Sequence, residues 1–292
     1  MKKVFNFIMI TIIIMNILVG CSNNTEEFNT GRTINVITRE DGSGTRGAFT
    51  EIVGIMEEGL KGEVNDNTYI EAIVQNSTDA VITSVSNDEY SIGYISLGSL
   101  NDTIKAIKVE GVEATAENVQ KGLYKIARPF NIAYKGELGT LAQDFVSFIL
   151  SVEGQKIIAD KGYVQVGTDL QHYEKVDEME GTLVIAGSTS VTPVMEELAQ
   201  AYKEIHPKVS IEIQSTGSSA GIQAAIEGTA HIGMTSRELK ESELAKLTAQ
   251  VIAMDGIAVI VNKKNPIENL TLKQIKSIYT GEITEWNGLI DN

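Results

Sequence analysis

The chain of 292 residues has a single cysteine, Cys21, and only three histidines. One cysteine leaves no partner for an internal disulfide. His172, His206 and His231 form no cluster with cysteine or carboxylates at metal-ligand spacing, so neither a metal nor another cofactor is expected. Basic residues are outnumbered, 24 against 39 acidic, for a net charge of −15. That balance argues against nucleic acid as a partner and against adhesion to anionic lipid heads. Any anion site must then be built from local donors rather than from a basic field. The phosphate-loop pattern of nucleotide sites, Gly-x-x-x-x-Gly-Lys-Ser/Thr, does not occur. No stretch repeats with a period of about twenty to fifty residues, which excludes a solenoid.

What is present is ordinary for a soluble globular protein, with 42% hydrophobic and 22% charged residues. The length suits one sizeable core or two modest ones, and two lobes are expected. At the N-terminus Lys2 and Lys3 precede an apolar run from Val4 to Val19, which ends at Leu18-Val19-Gly20-Cys21. This is a secretory signal, too short for a comfortable membrane span. The last four residues resemble the bacterial lipobox, in which the cysteine becomes the lipidated first residue of the mature chain. The resemblance implies anchoring through Cys21 to the outer face of the cell membrane. Residues 22–31 are polar and read as a flexible tether.

Three junctions carry the chemistry. At the first, the strand Ile34 to Ile37 runs into Thr38-Arg39-Glu40-Asp41-Gly42-Ser43-Gly44-Thr45-Arg46-Gly47, and a helix follows from Ala48. At the second, the strand Thr182 to Ala186 leads through Gly187-Ser188-Thr189-Ser190 to a helix over Val194 to Ile205, with Pro193 in its first turn. At the third, the strand Val209 to Gln214 meets the loop Ser215 to Gly221 before a helix over Ile222 to Glu227. Glycines let the backbone pass close to a bound group. Serine and threonine add hydroxyls, and the free N–H groups of a helix N-terminus favour an anion. Only the first junction carries an arginine at the strand end, Arg39, whose planar fork suits two-point contact with an oxyanion. A site of many neutral donors and few charges fits a small tetrahedral oxyanion.

The remaining chain alternates strands and helices, which argues an α/β fold with mostly parallel sheets. Strands are expected at Ser91 to Ser96, Ile104 to Val109, Arg128 to Tyr134, Ala230 to Arg237 and Val251 to Val261. Helices are expected after Asn76, with Ser77 or Asp79 as N-cap, and over Ala116 to Gly122, Leu141 to Leu150, Val152 to Ala159 and Leu272 to Tyr279. Tyr69 to Val74 is ambiguous between strand and helix. Residues 168–181 are polar and acidic and read as a linker or a long surface loop. One enzyme pattern needs weighing. Gly217-Ser218-Ser219-Ala220-Gly221 matches a nucleophile elbow with Ser219 as nucleophile, but only His231 follows it, too soon for an acid-bearing strand between them.

These segments look like a known family. Arg39 to Arg46, Gly187 to Ser190, Thr216-Gly217-Ser218-Ser219 and Ile232-Gly233-Met234-Thr235-Ser236-Arg237 resemble signature segments of the phosphate-binding proteins of the bacterial high-affinity phosphate ABC transporter. So do Gly154-Gln155-Lys156 and Gly162-Tyr163-Val164, and the similarity spans nearly everything from Arg32 to Asn287. The resemblance implies a two-lobe, type II periplasmic-binding-protein-like α/β fold with a hinge, each lobe a mixed sheet flanked by helices. In the family, segments similar to Thr182 to Trp286 come first and those similar to Ile34 to Val164 follow. The chain is thus similar to a circular permutant joined through residues 168–181, the alternative being a fragment of a longer duplicated protein. Permutation is tolerated where termini lie close together at the surface.

Carried over by motif, the resemblance assigns residues 32–127 plus 257–292 to one lobe and residues 128–256 to the other. Arg39, Ser43, Gly44 and Thr45 would bind phosphate from the first lobe, and Thr189, Ser190 and Ser218 from the second. Asp41 would orient Arg39. Ser236 stands where some members of the family have an aspartate that accepts the proton of hydrogen phosphate. Its lack of charge puts rejection of sulfate in question, and Arg237 either compensates or is a surface charge. Trp286 reads as a core residue. The implied function is delivery of inorganic phosphate to an ABC permease by a monomeric, non-catalytic lipoprotein. The alternatives are a carrier of sulfate or arsenate and an exported serine hydrolase.

Overall fold

The computed structural model describes residues 27–58, 64–175 and 178–290. The apolar leader, Cys21 and the first half of the expected tether, residues 22–26, lie outside the described residues. Nine strands form one mixed sheet: β1 Asn35–Arg39, β2 Ile73–Gln75, β3 Ser91–Ser96, β4 Ile104–Ala106, β5 Ala127–Tyr134, β6 Glu180–Gly187, β7 Lys208–Ser215, β8 Ile232–Thr235 and β9 Thr248–Asn262. Their order is β7-β6-β8-β5-β9-β3-β1-β2, with β4 against β9. At one end β6 runs parallel to β7 and β8. At the other end β1 runs parallel to β2 and β3.

The two ends meet through β5 and β9, which are antiparallel to each other. Along β9 the partner changes: Gly256 pairs with Ala127 of β5, and Ile257 pairs with Ser96 of β3. Apolar side chains alternate between the two faces of β9, as a pleated strand requires. Ile257, Val259 and Val261 enter one core with Phe49, Tyr94, Tyr279 and Trp286. Ala258 and Ile260 enter another beneath the helix that carries Val81 and Val85. Beyond the crossing, Phe130, Ile132, Ile185, Leu198 and Ile252 belong to a separate core. Each buried aliphatic or aromatic side chain contributes about 1.5–3 kcal/mol to folding, so both halves hold a substantial core.

Seven helices of eight residues or more are found among the described residues: α1 Gly44–Val53, α2 Thr78–Asn87, α3 Thr140–Ile149, α4 Val152–Asp160, α5 Thr192–Ile205, α6 Ser218–Glu227 and α7 Leu272–Tyr279. Several boundaries differ from the sequence reading for local reasons. Ser77 rather than Asp79 caps α2, its hydroxyl accepting from the Ala80 amide. The expected strand over Ile104 to Val109 breaks at Ile107, because Lys108–Val109 pairs with Asn269–Leu270 instead. The α6 helix starts at Ser218, four residues early, so the small residues read as loop are helical. Phe28, within the expected tether, packs on Tyr90 and Trp286 at centroid distances of 5.0 and 5.9 Å. Tyr173, within the expected linker, is also tied down. The Tyr173 hydroxyl donates to Asp144, and the Tyr173 amide to Glu153.

Where β5 and β9 cross between halves, Arg128 and Asp255 form a fully buried ion pair, Nη2 to Oδ2, at 2.9 Å. Burial outweighs the pairing and pushes the Asp255 carboxyl up to about 6. The folded chain therefore keeps this proton above the ordinary carboxylate range. As pH rises from that range through about 6, the contribution of this group to stability declines. In urea unfolding, Asp255→Asn is expected to lose about 3–5 kcal/mol by stranding Arg128, and the paired change Arg128→Met with Asp255→Leu to lose much less. Equal losses in the two variants would contradict this.

Candidate anion-binding cleft

The carboxyl end of β1 delivers Arg39, only 3% exposed. Its Nε and Nη2 donate to Oε2 and Oε1 of Glu40 at 2.8 and 2.9 Å. The Nε also reaches the Gln75 carbonyl at the end of β2, at 3.2 Å. Nη1 donates to Thr78 Oγ1 at 3.5 Å, and Nη2 to Thr189 Oγ1 in the other half at 3.1 Å. Arg39 thus presents a charge that Glu40 balances and geometry fixes on several sides.

Around it, hydroxyls from both halves touch one another. Thr45 Oγ1 lies 2.8 Å from Ser190 Oγ and 3.5 Å from Ser236 Oγ. Thr78 Oγ1 lies 3.2 Å from Ser190 Oγ and 3.3 Å from Thr189 Oγ1. Ser188 Oγ donates to Ser236 Oγ at 2.9 Å, while Ser218 Oγ is 3.4 Å from it and accepts from the Ser236 amide. All of these residues except Thr189 are buried. The backbones also meet, the Ser219 amide donating to the Gly42 carbonyl at 3.1 Å.

The local sequence explains how the chains come so close. A Cβ on Gly44 would stand 2.5 Å from Ser218 Oγ and 2.8 Å from Ser236 Oγ, so only glycine fits. Gly187 takes φ of +144°, and a Cβ there would strike the Met234 carbonyl. The helices α1, α2 and α6 begin at Gly44, Thr78 and Ser218, and α5 begins two residues after Ser190. Their first turns hold backbone N–H groups with no helical partner, and their dipoles favour negative charge at the same place.

Of the residues singled out from sequence, Arg39, Gly44, Thr45, Thr189, Ser190, Ser218 and Ser236 converge here. Ser43 is buried beside them, but its hydroxyl caps α1 by accepting from the Arg46 amide at 3.3 Å. Asp41 does not orient Arg39. It is 96% exposed and lies 3.3 Å from Arg46, while Glu40 grips Arg39 with both oxygens. Arg237 is engaged by both oxygens of Glu243 at 2.8 Å and makes no contact with the hydroxyls. Sequence reasoning missed Glu40, Thr78 and Ser188. Ser188 stood inside a quoted loop, and Thr78 followed a recognised cap, Ser77, without glycine to mark it.

The elbow geometry does not form. Ser219 is exposed in the first turn of α6. His231 accepts from the Val184 amide at the opposite end of β8 from Ser236. Among the described residues no group of three or more histidine, cysteine or acidic side chains could hold a metal ion.

The structure has one continuous mixed sheet rather than the expected separate sheet in each lobe, because β9 pairs with both β5 and β3. Its two halves, with hydroxyls meeting between them, fit a substrate-binding protein. A family profile described as the PBP superfamily domain matches residues 22–153 and 174–291. The "Phosphate-binding protein PstS 2" of Streptococcus agalactiae is 48% identical over 277 residues, 94% of each chain. That of Streptococcus pneumoniae is 44% identical over 272 residues, 92% of this chain and 93% of its own. The crystal structure of a phosphate-binding protein of a phosphate ABC transporter from S. pneumoniae is 46% identical with a TM-score of 0.71, covering 88% of this chain and 99% of that one. The chain belongs to the PBP superfamily and, within it, to the PstS phosphate-binding protein family. Matches this long run through both chains in one order, so the PstS 2 relatives share its arrangement of segments.

Thr78→Val should weaken oxyanion binding by about 1 kcal/mol, the worth of one hydroxyl hydrogen bond, as read by calorimetry. Asp41→Asn should leave it unchanged. The reverse pattern would refute the placement of Thr78 in the site and of Asp41 outside it.

Proposed function

We propose that this protein is an extracytoplasmic lipoprotein that binds inorganic phosphate between its two lobes and delivers it to an ABC permease for uptake. The observation that carries the reading is the ring of hydroxyls from both halves around Arg39. A hydroxyl donates to an ionised oxygen or accepts from a protonated one, so such a ring serves every oxygen of hydrogen phosphate. Arg39 supplies the full charge, and the helix N-termini add partial charge. The names of the streptococcal relatives support the same ligand and transport system.

The lobes are residues 32–127 with 257–292, and residues 128–256. The crossing of β5 and β9 serves as the hinge, since both connections run through it. The protein acts as a monomeric carrier and catalyses nothing, in keeping with the exposed Ser219 that no histidine serves. Cys21 carries the lipid that holds it to the outer face of the cell membrane. Sulfate and arsenate are the competing guests, because Ser236 brings no carboxylate to repel a fully ionised anion.

Calorimetric titration of the purified protein in detergent tests the reading. Phosphate should bind one to one and more tightly than sulfate, and Arg39→Ala should cost about 2–4 kcal/mol of that affinity. Undiminished affinity in the variant, or a preference for sulfate, would contradict it. Cys21→Ala should shift the protein out of the membrane fraction, and retention there would refute the lipid anchor.

A further inference from the structure

The hydroxyl ring uses nothing from Gly162-Tyr163-Val164, a segment of the second half that lies against β9 where the halves join. Tyr163 is 3% exposed and packs on Phe130 at a centroid distance of 5.2 Å. The first half meets it at Gly98, in the short turn Leu97–Ser99 that follows β3. A Cβ on Gly98 would run into Tyr163 Cζ and stand 2.5 Å from its Oη and 2.6 Å from its Cε1. The backbone at this position makes no such demand, since Gly98 keeps out of the left-handed region. What calls for glycine there is the aromatic ring arriving from the other half.

Both sides of this contact are held by the crossing strand. Val164 exchanges two backbone bonds of 2.9 Å with Met254, and the next residue, Asp255, accepts from the Leu97 amide at 3.2 Å. Neither side retreats without giving up a buried hydrogen bond. From Gly98 the chain leads back along β3 to Tyr94. The Tyr94 hydroxyl accepts from the Arg39 amide at 3.2 Å and lies 2.8 Å from Thr38 Oγ1, so a shift at Gly98 is passed to the strand that carries Arg39. The site tolerates little of it. The Thr45 and Ser190 hydroxyls, 2.8 Å apart, lose their bond if the halves part by about 1 Å.

We propose that the packing of Tyr163 on Gly98 is the stop that sets the angle at which the two halves meet, which makes Tyr163 a positioning residue for the oxyanion site. The proposal rests on the reading of the hydroxyl ring as that site. The contact lies beside the crossing of β5 and β9, so a small displacement there becomes a larger one at the ring. A side chain on position 98 acts as a shim that misaligns the ring, although every group that faces the guest is unchanged.

The test reads two quantities on the detergent-purified full chain. One is hydrogen exchange of the Ser219 amide without ligand. This amide sits in the first turn of α6 and donates across the halves to the Gly42 carbonyl, so its protection reports their contact. The other is phosphate affinity by calorimetry. Gly98→Ala should speed the exchange and weaken phosphate binding, each about tenfold or more. Tyr163→Leu removes the atoms in the way and should also weaken phosphate binding, by loss of the stop. Adding Gly98→Ala to Tyr163→Leu should then change neither quantity further. Unchanged exchange in Gly98→Ala, unchanged affinity in Tyr163→Leu, or an equal Gly98→Ala effect in both backgrounds would each overturn the proposal. A lower urea midpoint with affinity and exchange intact would mark a merely structural contact and overturn it too. Exchange needs no phosphate, so if the unaltered chain bound none, the transport reading would fail while the Ser219 amide still decided this one.

Discussion

Hydroxyls from opposite halves of the molecule approach within hydrogen-bond distance around one arginine, and much of the architecture serves that contact. Thr45 and Thr78 come from one half, and Ser188, Thr189, Ser190, Ser218 and Ser236 from the other. Their approach demands glycine at Gly44, where any side chain would collide with Ser218 and Ser236. It also demands that each strand end and each helix begin on the same side of the sheet. Parallel pairing of β1 with β3 and of β6 with β8 meets that demand, because it puts successive carboxyl ends at one edge. The antiparallel crossing of β5 and β9 then sets the two edges facing each other.

Net charge gives this arrangement its significance. A chain at −15 repels anions at long range, so capture depends on short-range donors. Glu40 offsets part of the charge of the ring's one arginine, and hydroxyls, amides and helix dipoles share the attraction in a buried setting. Neutral donors suit a carrier, which must hold a guest firmly and still let it go.

Much of the site was legible in the sequence because each junction joins glycine and hydroxyls between an alternating strand and a helix. Arg39, Thr45, Thr189, Ser190 and Ser218 all stood out on that signal. The identity of the carboxylate beside Arg39 did not. Glu40 and Asp41 are neighbours, and only the backbone turn at the strand end decides which one faces the guanidinium. Thr78 was hidden because its helix starts from a serine cap with no glycine, and its hydroxyl partners, Thr189 and Ser190, lie more than a hundred residues away. The early start of α6 was missed because Ser-Ser-Ala-Gly has loop composition, while tertiary packing of Gly221 against Gly187 favours helix. Phe28 and Tyr173 show the same limit, since single aromatics in polar segments pack against surfaces that sequence alone does not display.

The central claim is that both halves hold one guest jointly. A double-mutant cycle on Thr45→Val and Ser190→Ala, read as phosphate affinity by calorimetry, addresses it most directly. These hydroxyls lie 2.8 Å apart across the cleft, so the account predicts non-additive losses with a coupling of about 0.5–3 kcal/mol. Strictly additive losses, or no loss in either single variant, would contradict it.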